Sequence, residues 1–342
     1  MPEPSTTPMV SVQNVSKRFG RTLALDGVSL EIDKGETYAI LGPNGSGKTT
    51  LIHILCTIHG ADSGTARIGG YDVRTHSRQA RQRLGVVFQE PSVDTRLTVY
   101  ENLDFHGRIY GVPRRLRRQR IEELLELVEL ADWRDHLVRA LSKGMQRRLE
   151  IGRALVHDAE LLVLDEPTVG LDAQSRSRMW QHLAELKRLR NLTVLVTTHY
   201  IEEVESTDRV CVVDRGKVLT VGTPRELKER HGRSKVRLTT RDASVLRVLS
   251  SAEGVLEVRD SNDAPPWTDG DAPKEYVAHI EDGHVAERLL AELGSRLVTF
   301  SVEQPTLEDV FLDLTGRGLR DSASGTRDRL AATPRSGGEP IR

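Results

Sequence analysis

Aromatic side chains are scarce in this chain of 342 residues, at 4% of the total, and only two cysteines occur, Cys56 and Cys211. Two thiols in apolar surroundings exclude a disulfide framework and a cysteine-built metal site, so both are expected as reduced core thiols. No stretch approaches the ~18 uninterrupted apolar residues of a membrane-spanning helix. The opening, Met1-Pro2-Glu3-Pro4-Ser5-Thr6-Thr7-Pro8, lacks the basic-then-apolar order of a secretory signal. A cytoplasmic chain is expected, with any membrane role coming through a partner. The net charge of -1, from 49 basic and 50 acidic residues, excludes the global basic field of a nucleic-acid binder. The densest run of one sign, Arg114-Arg115-Leu116-Arg117-Arg118-Gln119-Arg120, is expected as a solvated helix face, the alternative being contact with lipid headgroups or a membrane partner.

What is present is a regular alternation. Residues 10–230 read as alternating strands and helices, the pattern of a wound α/β domain. Thr37-Tyr38-Ala39-Ile40-Leu41, Leu161-Leu162-Val163-Leu164 and Val194-Leu195-Val196-Thr197 are short, bounded apolar runs, as strands buried on both faces should be. Residues 97–158 change to mostly helix, with Ile121, Leu124, Leu125 and Val128 on one apolar face. Residues 231–316 change again, to the order βαββαβ of a small α+β accessory domain with a ferredoxin-like arrangement. Residues 261–273 are expected as its long turn-rich loop. Its last helix carries the stripe Leu307, Val310, Phe311 and Leu314, which either clamps a dimer, the reading we favour, or seals the domain's own core. Residues 1–9 and 317–342 are expected to be disordered.

Gly42-Pro43-Asn44-Gly45-Ser46-Gly47-Lys48-Thr49 follows an expected strand, precedes an expected helix, and fits the P-loop pattern. Glycines let backbone N–H groups turn onto phosphates, and the helix N-terminus adds its positive end. Lys48 would supply charge to the β/γ-phosphates and the Thr49 hydroxyl would ligate Mg²⁺, with Thr50 next along the same loop. The run 161–164 ends in Asp165-Glu166, and ligands gather at the carboxyl ends of strands in such sheets. Asp165 would hold Mg²⁺, and Glu166 would align and activate an attacking water. His199 ends another apolar run; from residue chemistry it is either structural or a contact to the γ-phosphate and its water.

Taken together these motifs resemble the ABC ATPases. The distinguishing marker is Leu141-Ser142-Lys143-Gly144-Met145-Gln146-Arg147-Arg148-Leu149-Glu150, which looks like the family's serine-glycine signature. The resemblance, which covers residues 10–230, implies a P-loop fold with a helical subdomain. It also implies that Phe19 stacks on adenine, that Gln89 touches Mg²⁺ and senses a membrane partner, that Asp172 in Gly170-Leu171-Asp172 lies on a loop crossing between subunits, and that His199 is the switch histidine. A finer resemblance is to ATPases of daunorubicin-like drug exporters, carried by residues 198–205, 222–227 and 304–312. It implies ATP and Mg²⁺ as cofactors, a separate permease, attachment at the cytoplasmic membrane face, and a second ATPase subunit, a homodimer, closing on ATP with Ser142 and Gly144 against the partner's nucleotide. Lys143 departs from the pattern, standing where its first glycine usually is. The competing reading is a soluble ABC ATPase with a non-transport role, but this chain has one ATPase module, no sustained heptads and no basic domain. A GTPase is disfavoured because no Asn-Lys-x-Asp segment occurs.

Overall fold

Parallel strands with apolar side chains on both faces must be covered on both sides, and the order of elements supplies that cover. In a computed structural model, which describes residues 7–232, 234–260, 273–281 and 283–315, the described chain divides into two compact units, one ending at residue 223 and the other beginning at residue 224. The strands of the first unit are β1 (Val10–Phe19), β2 (Thr22–Ile32), β3 (Thr37–Leu41), β4 (Ser63–Ile68), β5 (Tyr71–Asp72), β6 (Leu84–Val87), β7 (Leu161–Asp165), β8 (Thr193–Thr198), β9 (Arg209–Asp214) and β10 (Lys217–Gly222). They form an antiparallel sheet ordered β2-β1-β4-β5 and a six-stranded sheet ordered β10-β9-β3-β8-β7-β6. The larger sheet is parallel except where β10 joins β9. Every residue of β7 and β8 is buried, so neither strand shows an alternating pattern. Val10, Val12 and Val15 of β1 share one core with Ile40, Ile52, Leu55 and Val163.

The helical insert holds helices Val99–Ile109, Arg114–Leu127 and Lys143–Leu155. A capping box starts the first: Thr98 Oγ1 accepts from the Glu101 N–H at 3.1 Å, and Glu101 Oε2 accepts from the Thr98 N–H at 2.8 Å, an arrangement whose loss costs about 1 kcal/mol. Ile121, Leu124, Leu125 and Val128 are buried as expected. The arginine run is not wholly solvated: Arg117 is buried, pairs with Asp104 at 2.5 Å and donates to the Val112 carbonyl.

The second unit adds β11 (Ser234–Thr240), β12 (Val255–Asp260), β13 (Lys274–Ile280) and β14 (Leu297–Glu303), antiparallel in the order β12-β13-β11-β14. One face of this sheet packs Val236, Leu238 and Ala278 on Val245, Leu249 and Leu289 of the two crossing helices. Two boundaries move from their expected places. Helix Pro224–His231 falls in the second unit, because it packs on helix Leu307–Thr315. That packing covers most of the apolar stripe: Leu307, Val310 and Phe311 are buried and Leu314 is half-buried, with Leu227 of the facing helix buried too, so the stripe seals its own unit and is not a free surface for clamping a dimer. At the other end, Met9 is 2% exposed and its N–H donates to the Ile32 carbonyl, so order begins earlier than residue 10. Residues 1–6, 261–272 and 317–342, where disorder or a long loop is expected, lie outside the described residues, as does residue 316.

Both cysteines are buried without a disulfide, and burial pushes each thiol up to about 12. Because the thiolate is the reactive form, neither should react with Ellman's reagent at pH 8 in the folded protein, and both should react in guanidinium. Rapid labelling of either thiol in the native state would contradict this core.

Candidate functional site

Strand β3 ends at Leu41 and helix Lys48–Leu55 begins seven residues later, so the loop between them sits where the parallel sheet directs its ligands. Two of its glycines are required by close backbone approach. A Cβ on Gly42 would lie 2.2 Å from the Val213 carbonyl oxygen, and one on Gly47, at φ 107°, 2.6 Å from that of Ala24. The helix has no side-chain cap at Gly47, which leaves its first N–H groups without a side-chain partner, as an anion site at a helix N-terminus requires. Lys48 Nζ donates to the carbonyls of Gly42 at 2.8 Å and Pro43 at 3.1 Å.

Parallel pairing of β7 and β8 carries a second set of groups to the same end. Asp165 closes β7, and its Oδ1 accepts from the Thr197 hydroxyl and, at 3.5 Å, from that of Thr49. The chain then turns at Glu166, whose φ of 45° is left-handed, a conformation costing a non-glycine residue about 1–3 kcal/mol. Thr197 holds this turn, its carbonyl and hydroxyl each accepting from the Glu166 N–H at 3.1 Å. Glu166 Oε1 lies 3.5 Å from Lys48 Nζ and 3.4 Å from His199 Nδ1. Burial alone would raise the Glu166 carboxyl, but His199 and then Lys48 outweigh it and hold the group below the usual carboxylate range. For Lys48 burial wins and lowers the ammonium, with Glu166 opposing.

Asn44, Gly45, Gly47, Lys48, Thr49, Thr50, Gln89 and Glu166 line one cavity of about 570 Å³, and Gly42 and Pro43 meet it through Lys48. Ser46, buried in the same loop, is not among the residues lining that cavity. Phe19, Ser142, Gly144 and Asp172 do not line it either. Phe19 is 45% exposed at the end of β1, its ring edge on His59. Ser142 caps helix Lys143–Leu155, its hydroxyl accepting from the Met145 N–H at 3.2 Å, and both Ser142 and Lys143 are exposed. Asp172 caps helix Ala173–Arg190 through Ser175, and a Cβ on Gly144 would lie 3.4 Å from the Ser175 hydroxyl. The signature glycine and the Asp172 loop are therefore neighbours.

Thr22, Leu23, Ala24 and Arg215 also line the cavity and gave no signal in the sequence beyond the turn-like Arg215-Gly216. Thr197 and Arg147 lie inside the strand and signature stretches, but the sequence assigns neither a role, because each acts through backbone contacts brought together by the fold. Among the described residues no cluster of three or more His, Cys, Asp or Glu side chains can cage a metal. The oxygens of Thr49 and Asp165 nonetheless fit a Mg²⁺ that keeps waters and shares phosphate oxygens. If His199 is the main group lowering the Glu166 carboxyl, His199→Ala should raise that pKa in a carbon-detected NMR titration. An unchanged or lowered value would contradict the arrangement.

Among the described residues no helix is long and apolar enough to cross a membrane. A family model described as ABC transporter matches residues 25–169, and one described as ATP-binding protein DrrA1-3-like, C-terminal domain, matches residues 222–315. The chain is 39% identical over 326 residues to the daunorubicin/doxorubicin resistance ATP-binding protein DrrA of Streptomyces peucetius, covering 93% of this chain and 96% of that one. It is 36% identical to the linearmycin resistance ATP-binding protein LnrL of Bacillus subtilis, covering 92% and 100%. Among solved structures, cbiO1 of Clostridium perfringens, part of the ABC transporter complex cbiONQ, superposes with a TM-score of 0.61 at 27% identity, covering 71% of this chain and 95% of that one. A dimeric ATP-binding cassette, MJ0796, bound to ADP and Pi gives 0.56 at 30%, covering 63% and 98%. The chain belongs to the family of ABC transporter ATP-binding proteins: it is an ABC ATPase with a DrrA1-3-like C-terminal domain.

Proposed function

We propose that this ATPase powers a separate membrane permease that exports a hydrophobic, drug-like substrate, with two ATPase subunits closing on ATP as a homodimer at the cytoplasmic face of the membrane. The observation that carries the reading is the division of phosphate-binding groups. The P-loop, Lys48 and Glu166 share one cavity, whereas the capped helix end, with Ser142 exposed and Gly144 half-buried, stands outside it. A second anion-binding helix end in the same chain has a use if it meets the nucleotide of another subunit. The resistance proteins among the relatives support the drug-like substrate, and the dimeric cassette supports the pairing.

In this reading the N–H groups of the loop and Lys48 receive the phosphates, and Phe19 stacks on the adenine face. Thr49, Asp165 and Gln89 would hold Mg²⁺, which when bound neutralises charge on the phosphate oxygens. Glu166, kept ionised by His199 and Lys48, orients the attacking water and accepts its proton. His199 stands within contact of that carboxylate and links it to the γ-phosphate. Asp172, beside the signature glycine, faces the partner subunit. ATP then favours the closed pair because its contacts are complete only there, and hydrolysis removes that preference.

Glu166→Gln should bind ATP within about threefold of the wild type while losing at least about a hundredfold in turnover, some 2.7 kcal/mol of barrier. Nucleotide binding by calorimetry and phosphate release check both halves. Normal turnover in this variant would remove Glu166 from the chemistry.

A further inference from the structure

The first turn after β7 carries the carboxylate of the proposed site on strained backbone, and strain persists only where neighbours hold it. Thr197 restrains that turn from β8. The other restraint comes from helix Lys143–Leu155, five residues past the Ser142 cap. Arg147 is 7% exposed, and its guanidinium donates from Nε to the Pro167 carbonyl at 2.9 Å, from Nη2 to the Asp165 carbonyl at 3.4 Å, and from Nη1 to the Phe88 carbonyl at 2.6 Å. Asp165 and Pro167 flank Glu166, and Phe88 precedes Gln89. One planar cation thus grips the chain on both sides of Glu166 and at the root of the Gln89 loop.

Its charge is balanced by Glu150, 1% exposed and 2.9 Å away. Glu150 Oε1 also accepts from the Ser92 N–H at 2.6 Å, and Arg153 donates to the Ser92 carbonyl at 2.6 Å. Arg147, Glu150 and Arg153, three residues apart on one helix face, bind the segment from Phe88 to Ser92 to the same helix that presents Ser142.

We propose that Arg147 is a positioning residue for ATP hydrolysis: it transmits the position of the signature helix to the Glu166 turn and the Gln89 loop together. The proposal rests on the assignment of Glu166 above. Only a fork of several N–H donors reaches three carbonyls at once. A lysine keeps the charge for Glu150 but not the fork. Arg147→Lys is therefore the informative variant, since it leaves a cation beside the buried Glu150 carboxylate.

In the full-length chain, Arg147→Lys should lower kcat for ATP at least about tenfold while KM moves less than about threefold, the split of an interaction that acts on the transition state and not on binding. Hydrogen exchange should accelerate in peptides covering residues 88–93 and 165–171 and stay unchanged in those covering 42–55. Arg147→Ala should extend both effects in the same direction. A folded Arg147→Lys protein with kcat within twofold of wild type would overturn the proposal. So would a fall in kcat matched by a rise in KM, or faster exchange across the whole unit, which would make Arg147 a stabilising residue only. Failure of the Glu166 assignment is read separately: Glu166→Gln would then hydrolyse ATP normally whatever Arg147 does.

Discussion

A carboxylate buried one residue beyond a parallel strand must be compensated or it will protonate. Glu166 is compensated by Lys48 from the loop after β3 and by His199 from the end of β8, three groups far apart in sequence. The strand order β3-β8-β7 is what lets them meet, because parallel neighbours deliver their carboxyl ends to one edge. Thr197 and Arg147 then fix the backbone on which the carboxylate rides, so the charge cluster, the sheet order and the signature helix depend on one another.

Much of this was legible in the chain. Phosphate binding through backbone N–H groups permits few residue types at residues 42–49, and β7 and β8 are apolar throughout because both faces are covered. The pattern therefore reveals the loop, the strands and Asp165-Glu166 without knowledge of the fold. The βαββαβ order of the second unit is legible for a similar reason, since its helices and strands change hydrophobic period cleanly.

Other features depend on long-range contacts that leave no local mark. Arg147 reads as one more surface arginine in a charged helix until the carbonyls of Phe88, Asp165 and Pro167 are seen around it. Arg117, inside a run read as solvated, is buried because Asp104 from the preceding helix meets it. The stripe at Leu307, Val310 and Phe311 has the period of an interface, but periodicity cannot say which surface covers it, and helix Pro224–His231 does so within the same unit.

The proposed pairing of two subunits rests on the separation of Ser142 from the cavity of Lys48. It is tested most directly by mixing two inactive proteins, Lys48→Ala, which keeps its signature helix, and Ser142→Arg, which keeps its P-loop. If nucleotide sites are completed across subunits, the mixture should regain ATP turnover well above the sum of the two variants measured alone, through mixed dimers holding one intact composite site. A mixture no more active than its components, or a Ser142→Arg protein that turns over ATP at the wild-type rate by itself, would contradict the account.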